Sequence, residues 1–161
     1  MFPNLSLREQ MRICFDTNAT GPAVIGEAFG PLLRAALKDG NYSPDSIPPT
    51  PRIINISSGV GSINRRLDPT GPMYKLQGTQ YRASKAALSM VTANQWVEFG
   101  PEIKVFAYDP GFTQSNLGPH NKAENGAREP RLSVEPIVEV IEGRRDNEAG
   151  LFLNKDGQYP W

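Results

Sequence analysis

Two side chains four residues apart carry the first chemical signal in this sequence. In Tyr81-Arg82-Ala83-Ser84-Lys85, the phenol and the ammonium project from one face if the segment is helical. An ammonium beside a phenol favours the phenolate and draws its pKa down from about 10. The result is a proton donor and acceptor usable near neutral pH. The spacing also fits a core-flanking Tyr beside a solvated Lys. Three further segments bear on the pair. Ser57-Ser58 closes the run Ile53-Ile54-Asn55-Ile56, with Ser58 23 residues before Tyr81. A Ser at the C-terminal end of a parallel strand faces the crevice where such sheets bind ligands, so its hydroxyl can meet a substrate carbonyl. A plain strand-end turn is the other reading. Pro110-Gly111-Phe112-Thr113-Gln114-Ser115 closes the next apolar run, and its hydroxyls and freed amides can meet a ligand in the same crevice or simply end a strand. Asn18 sits inside a helical pattern, where Asn is a poor choice. Pro22 has no N–H to bond the Asn18 carbonyl, which is then free to hold a water or merely marks a kink.

These residues need elements to hold them. Residues 5–38 read as a helix whose apolar face is Ile25, Ala28, Phe29, Leu32, Leu33 and Ala36, with Gly40 as a stop. Residues 39–51 form a polar, Pro-rich loop. Arg52 to Ser57 is a β-branched run that suits a buried strand. Residues 59–79 read as a long loop, and 80–99 as a helix with Ala83, Ala87, Leu88, Val91 and Trp96 on its apolar side. Ile103 to Tyr108 is a second strand, 112–132 an irregular stretch, Val134 to Ile141 a short helix and Gly150 to Asn154 a third strand. Asp156-Gly157 makes a turn. Strands alternating with helices predict right-handed parallel crossovers and an α/β sheet of about three strands.

Composition narrows the function. The 161 residues suit one domain, 1–161. The 17 basic and 17 acidic residues cancel, which argues against a nucleic-acid partner held by charge and against a polybasic membrane patch. Pro and Gly, 15 each, exceed the usual share of roughly 12% and announce long loops. The single Cys14 excludes an internal disulfide and a Cys-based zinc site, and no metal site is expected. Neither a secretory leader nor an apolar run of membrane length is evident, so the expectation is a soluble cytoplasmic protein. His120 and the pairs Arg65-Arg66 and Arg144-Arg145 read as solvated, and Cys14 reads as core. Asp109 lies near the cleft without an assigned role.

Taken together, the four segments resemble the classical short-chain dehydrogenase/reductase family. The matching pieces are Asn18 within Thr17-Asn18-Ala19-Thr20-Gly21, Ser58 after its strand, Tyr81 and Lys85 as a YxxxK motif, and Pro110-Gly111-Phe112-Thr113. The stretch from Gly150-Leu151-Phe152 to Pro160-Trp161 resembles the carbonyl-reductase-like members. The resemblance implies a Rossmann-like, doubly wound sheet and an NAD- or NADP-dependent oxidoreductase acting on a small ketone or secondary alcohol. It implies Tyr81 as general acid/base, and Lys85 as the group that lowers its pKa and bonds the nicotinamide ribose. Ser58 would orient the carbonyl, and the Asn18 carbonyl would hold a water that passes protons to Lys85. Thr113 and Ser115, beside Pro110 and Gly111, would touch the nicotinamide amide and the phosphates. The hydride chemistry is the cofactor's own. The Pro-rich stretch 43–51 and Trp161 are similar to fungal reductases of secondary metabolism.

The sequence matches only the last two-thirds or so of a family member. The glycine-rich turn that holds a pyrophosphate at a helix N-terminus is missing. Gly59-Val60-Gly61 is the sole GxG, and it leads into Arg65-Arg66-Leu67-Asp68-Pro69, read as non-helical. Its strand is therefore expected to be an open sheet edge, prone to association. The resemblance implies that the helices of 5–38 and 80–99 pair in a homodimer or with another chain of the family. Two other readings remain: a truncated, non-catalytic interaction subunit or remnant, and a cofactor-independent isomerase or dehydratase using Tyr81 and Ser58.

Overall fold

The computed structural model describes residues 4–37 and 50–161. The Gly40 stop and most of the Pro-rich loop lie outside the described residues. Ser6 opens helix α1 (Leu7–Phe15) with a reciprocal cap: its hydroxyl accepts from the Glu9 amide, and the Glu9 carboxylate accepts from the Ser6 amide at 2.9 Å. The expected single helix over 5–38 is in fact two. Asp16–Thr20 form one wide π turn, in which the Gly21 amide reaches back to the Asp16 carbonyl, and helix α2 (Gly21–Ala36) follows. Pro22 supplies no amide to the Asn18 carbonyl, so the ladder must widen there.

Strand β1 (Arg52–Ile56), strand β2 (Lys104–Tyr108) and strand β3 (Phe152–Asn154) pair in parallel. A fourth strand, β4 (Gly157–Tyr159), turns back antiparallel on β3 through Asp156-Gly157. The expectation of three strands is thus corrected by one. Three residues of Gly, Gln and Tyr carry no periodic signal, and the turn is what makes them a strand. The sheet order is β1-β2-β3-β4, so β1 is an edge.

Alternation along β2 divides the core between two faces. Phe106 and Tyr108 pack with Leu153 and with Val140 and Ile137 of helix α5 (Pro130–Ile141). Val105 packs on the other face with Phe99 and Trp96 of helix α4 (Thr79–Phe99) and with Leu33 of α2. Helices on both faces of a mostly parallel sheet make the α/β arrangement that the alternation predicts, in the Rossmann-like form that the resemblance implies.

Two helix faces differ from their reading. In α4 the fully or nearly buried positions include Arg82, Ser84, Lys85, Ser89, Thr92 and Gln95, with Leu88 and Phe99 the large apolar residues among them. Their polar groups are satisfied across elements. Asn55 Nδ2 of β1 donates to Thr92 Oγ1 at 2.9 Å and to Gln95 Oε1 at 2.7 Å, and Gln95 Nε2 donates to the Pro22 carbonyl at 3.0 Å. In α2 the buried residues are Gly26 and Gly30, while Ile25, Phe29 and Leu32 are exposed. A Cβ on Gly30 would lie 2.7 Å from the Phe99 ring, and one on Gly26 would lie 2.2 Å from Gln95 Nε2. Close approach of α2 to α4 therefore takes the glycine side and turns the apolar side outward.

The segment after β1 also holds more structure than a loop. Gly59–Gly61 make a tight turn, and Ser62 caps a five-residue helix α3 (Ile63–Leu67) by accepting from the Arg65 amide. The non-helical reading of this segment is corrected accordingly. The last residues clamp onto it. Ser62 Oγ donates to the Pro160 carbonyl at 2.7 Å, and Phe152 meets the rings of Tyr159 and Trp161 at 5.5 and 5.6 Å.

Candidate active site

The crevice at the C-terminal ends of β1 and β2 gathers the residues that the sequence singled out. Ser58 leaves β1 in extended backbone, and its hydroxyl lies close enough to the Tyr81 phenol to lower the phenol's pKa. Tyr81 lies in the first turns of α4, and Lys85 lies one turn on, its Nζ 5.8 Å from the Tyr81 ring centre. Asn18 joins through a relay not visible in its spacing. Its Nδ2 donates to Ser84 Oγ at 2.9 Å, and Ser84 Oγ donates to the Tyr81 carbonyl at 2.8 Å. The π turn thus grips the turn of α4 that carries the phenol. Ser84 is fully buried, and its only sequence signal is its place three residues beyond Tyr81.

The electrostatics differ from the expectation. Burial pushes the Tyr81 phenol above its ordinary value, against the Ser58 hydrogen bond, which lowers it; Asp109 and Cys14 push it further up. Burial pushes Lys85 down, opposed by Asp109. The ammonium does not lower the phenol. Lys85 Nζ is turned to the backbone and donates to the Ile56 carbonyl at 2.7 Å. In this state Tyr81 is a neutral donor.

The loop after β2 is placed less directly. Gly111 has φ +80°, a left-handed conformation that suits glycine. The Thr113 hydroxyl bonds the Gly111 carbonyl at 2.9 Å and the Ser133 hydroxyl of α5 at 2.7 Å. Arg128 Nη2 donates to the Pro110 carbonyl at 2.8 Å. Ser115 is exposed and accepts from the Leu117 amide within its own loop. Thr113 is therefore tied to α5 and Ser115 to its own loop, while Asn18, Ser58, Tyr81 and Lys85 form one connected group.

The readings of the remaining residues divide. His120 is exposed and Cys14 is buried, as expected. Arg65 and Arg145 are not solvated. Arg65 lies 4.0 Å over the Tyr159 ring, with Nη1 buried. Arg145 is bound to both Glu148 oxygens and to the Asn154 and Gly157 carbonyls. Arg66 holds the carbonyls of Met73, Tyr74 and Leu76. A charged pair in sequence does not show that one member caps a buried turn.

The residues fit the reactive end of a nicotinamide cofactor. Lys85, beside the Ser–Tyr hydroxyl pair, also lines a groove of about 450 Å³ with Asn18, Ile53–Ile56, Leu88 and the apolar side of α2; Ser58 and Tyr81 lie outside that lining. The GxG does not fit the phosphate end, because protein fills it. A Cβ on Gly61 would lie 2.8 Å from the Lys85 backbone, and one on Gly59 would meet Arg65 and Asp109. Among the described residues, no group of His, Cys, Asp and Glu could hold a metal, and no helix is long and apolar enough to cross a membrane.

Comparison with known proteins places the chain in a family. No protein-family model matches the chain. It is similar to the short-chain dehydrogenase anuI of Penicillium roqueforti, 37% identical over 78% of this chain and 48% of that protein. It is similar to the short-chain dehydrogenase/reductase tropE of Talaromyces stipitatus, 31% identical over 96% of this chain and 59% of that one. The NADPH-bound carbonyl reductase from chicken fatty liver superposes on the whole chain with a TM-score of 0.75 at 28% identity, and 60% of its own length is covered. The chain thus spans about half to three-fifths of the proteins it matches. On its fold, its Ser–Tyr–Lys group and these relatives, the chain belongs to the short-chain dehydrogenase/reductase family, as part of a Rossmann-like unit.

Proposed function

We propose that this chain carries the proton-transfer and carbonyl-orienting part of an NAD(P)-dependent oxidoreductase acting on a ketone or secondary alcohol. The observation that carries it is the grouping of Lys85 Nζ 5.8 Å from the Tyr81 ring centre with a Ser58 hydroxyl close enough to lower the phenol's pKa. A bound nicotinamide dinucleotide would supply or accept the hydride. Tyr81, held neutral by burial, donates its proton to a carbonyl oxygen, and Ser58 fixes that oxygen by a second hydrogen bond. Lys85, on leaving the Ile56 carbonyl, would hold the ribose of such a cofactor beside the phenol. Asn18 secures the turn of α4 and, with Lys85, borders the groove through which protons would be resupplied. Pro110, Gly111, Thr113 and Ser115 would help hold the nicotinamide amide and the phosphates.

We also infer that the open β1 edge and the outward apolar side of α2 pair with a second copy or another chain of the family, in the cytoplasm. The exposed Ile25, Phe29 and Leu32 beside a strand that is an edge among the described residues support this. Sedimentation velocity tests it: a dimer lost in Phe29→Asp supports it, and a monomer at all concentrations overturns it. Cofactor use is tested by calorimetric titration with NADPH and NADH. Saturable micromolar binding, with ketone-dependent NADPH oxidation lost in Tyr81→Phe, supports the reading. Absence of binding at millimolar cofactor by a folded sample overturns it.

A further inference from the structure

Asp109 is the buried carboxylate that the chemistry above does not use. It directly follows β2 and is only 8% exposed. Its two oxygens serve two loops. Oδ2 accepts from the Gly59 amide at 3.0 Å, and Oδ1 accepts from the Gly111 amide at 2.8 Å. Gly59 is the residue after Ser58, and Gly111 opens the loop that carries Thr113. The backbone around Asp109 is itself fixed by the sheet: its amide donates to the Leu153 carbonyl at 2.8 Å, and the Ser57 amide donates to the Tyr108 carbonyl at 2.7 Å. The close fit of Gly59 completes the tie. A Cβ there would lie 2.9 Å from Asp109 Oδ2 and 2.1 Å from Arg65 Nη1, so carboxylate and guanidinium close on one residue from two sides. A turn-forming Asp needs only the Gly111 bond. The second bond, 50 residues away in sequence, serves the Ser58 loop.

We propose that Asp109 is a positioning residue, whose carboxylate locks the loop after β1 so that the Ser58 hydroxyl meets the Tyr81 phenol. This deepens the functional reading above and rests on the same hydroxyl pair. Asp109 acts through Ser58 and touches no reacting atom. Loss of the carboxylate frees the Gly59 amide and lets Ser58 drift from the phenol.

The test is a double-substitution cycle read on the Tyr81 hydrogen bond, which needs neither cofactor nor turnover. The ring Cζ resonance of labelled Tyr81, assigned by its loss in Tyr81→Phe, reports whether the phenol is hydrogen-bonded. Ser58→Ala should shift this resonance in the parent protein. In Asp109→Asn the resonance should already be shifted, and Ser58→Ala should then leave it where it is. The cycle removes the direct effect of the Asp109 charge on Tyr81, because that effect is the same with Ser58 or Ala. It also removes any direct effect of Lys85, Cys14 and Arg65, which are unchanged throughout. An undiminished Ser58→Ala shift in the Asp109→Asn background overturns the proposal. If Asp109→Asn does not fold, Asp109→Ser replaces it in the same cycle, and an undiminished Ser58→Ala shift in that background likewise overturns the proposal. A protein that binds no cofactor still gives either answer, so failure here is distinct from failure of the dehydrogenase reading.

Discussion

The two sides of the sheet are built differently. On the β2–β3 side, Val105, Phe106, Ala107 and Tyr108 are all 0% exposed, and both faces are covered by helices. On the β1–α2 side, Ile25, Phe29 and Leu32 are 60, 55 and 63% exposed beside an edge strand. Both sides contain large apolar residues. What separates them is whether an element lies opposite. The candidate site sits on the seam: Asp109 ties the Ser58 loop to the end of β2, while Lys85 and Asn18 line the open groove. The chemistry can thus be held in place while its neighbouring surface stays available to a partner.

The contrast can be broken most sharply at Phe106. Phe106→Ala removes a fully buried ring and should lower unfolding free energy by about 3–5 kcal/mol in a urea titration. A loss under about 1 kcal/mol would mean that the closed side is no tighter than the open one. The next effect belongs to the seam of α2 and α4. Gly30→Ala places a methyl against the Phe99 ring and should cost about 1–3 kcal/mol by the same measurement. A neutral result would show that the helices can part.

Acid pH sharpens the comparison from the closed side. Hydrogen bonds from Arg145 hold the Glu148 carboxyl below its usual 4.5, against a smaller opposing effect of burial. A depressed folded pKa means that its contribution is present above about 4.5 and fades as pH falls through the folded value. Melting temperature should therefore fall below pH 4.5, and less steeply in Glu148→Gln. Equal slopes would remove this pair from the acid response. The smallest effect is expected on the open side: Phe29→Ala should change stability by no more than about 0.5 kcal/mol. A larger loss in the isolated chain would show that this face is covered in solution.

Much of the site was legible because its parts are local. Tyr81 and Lys85 share a helix face by spacing alone. Ser58 follows a strand whose β-branched run announces it, and Pro22 marks the break at Asn18. The links among these parts were not legible. Asn18 reaches Tyr81 through Ser84, 66 residues away from Asn18, and Asp109 reaches Gly59 from 50 residues away. No periodicity encodes such pairs. The charge pairs misled for the same reason, since Arg65 and Arg145 find their partners in the turns and strands near the end of the chain.

The sequence by itself determined the main helices and strands, the parallel pairing of the central strands and the shared helix face of Tyr81 and Lys85; Ser58 joined them only through the family resemblance. The first three follow from side-chain period, turn residues and spacing along one helix. Tertiary structure alone decided which helix faces are buried, where Lys85 donates its hydrogen bond, and that the pKa of the Tyr81 phenol is raised and not lowered. Those depend on which surface meets which, and burial outweighs a neighbouring charge when the ammonium is turned to the Ile56 carbonyl.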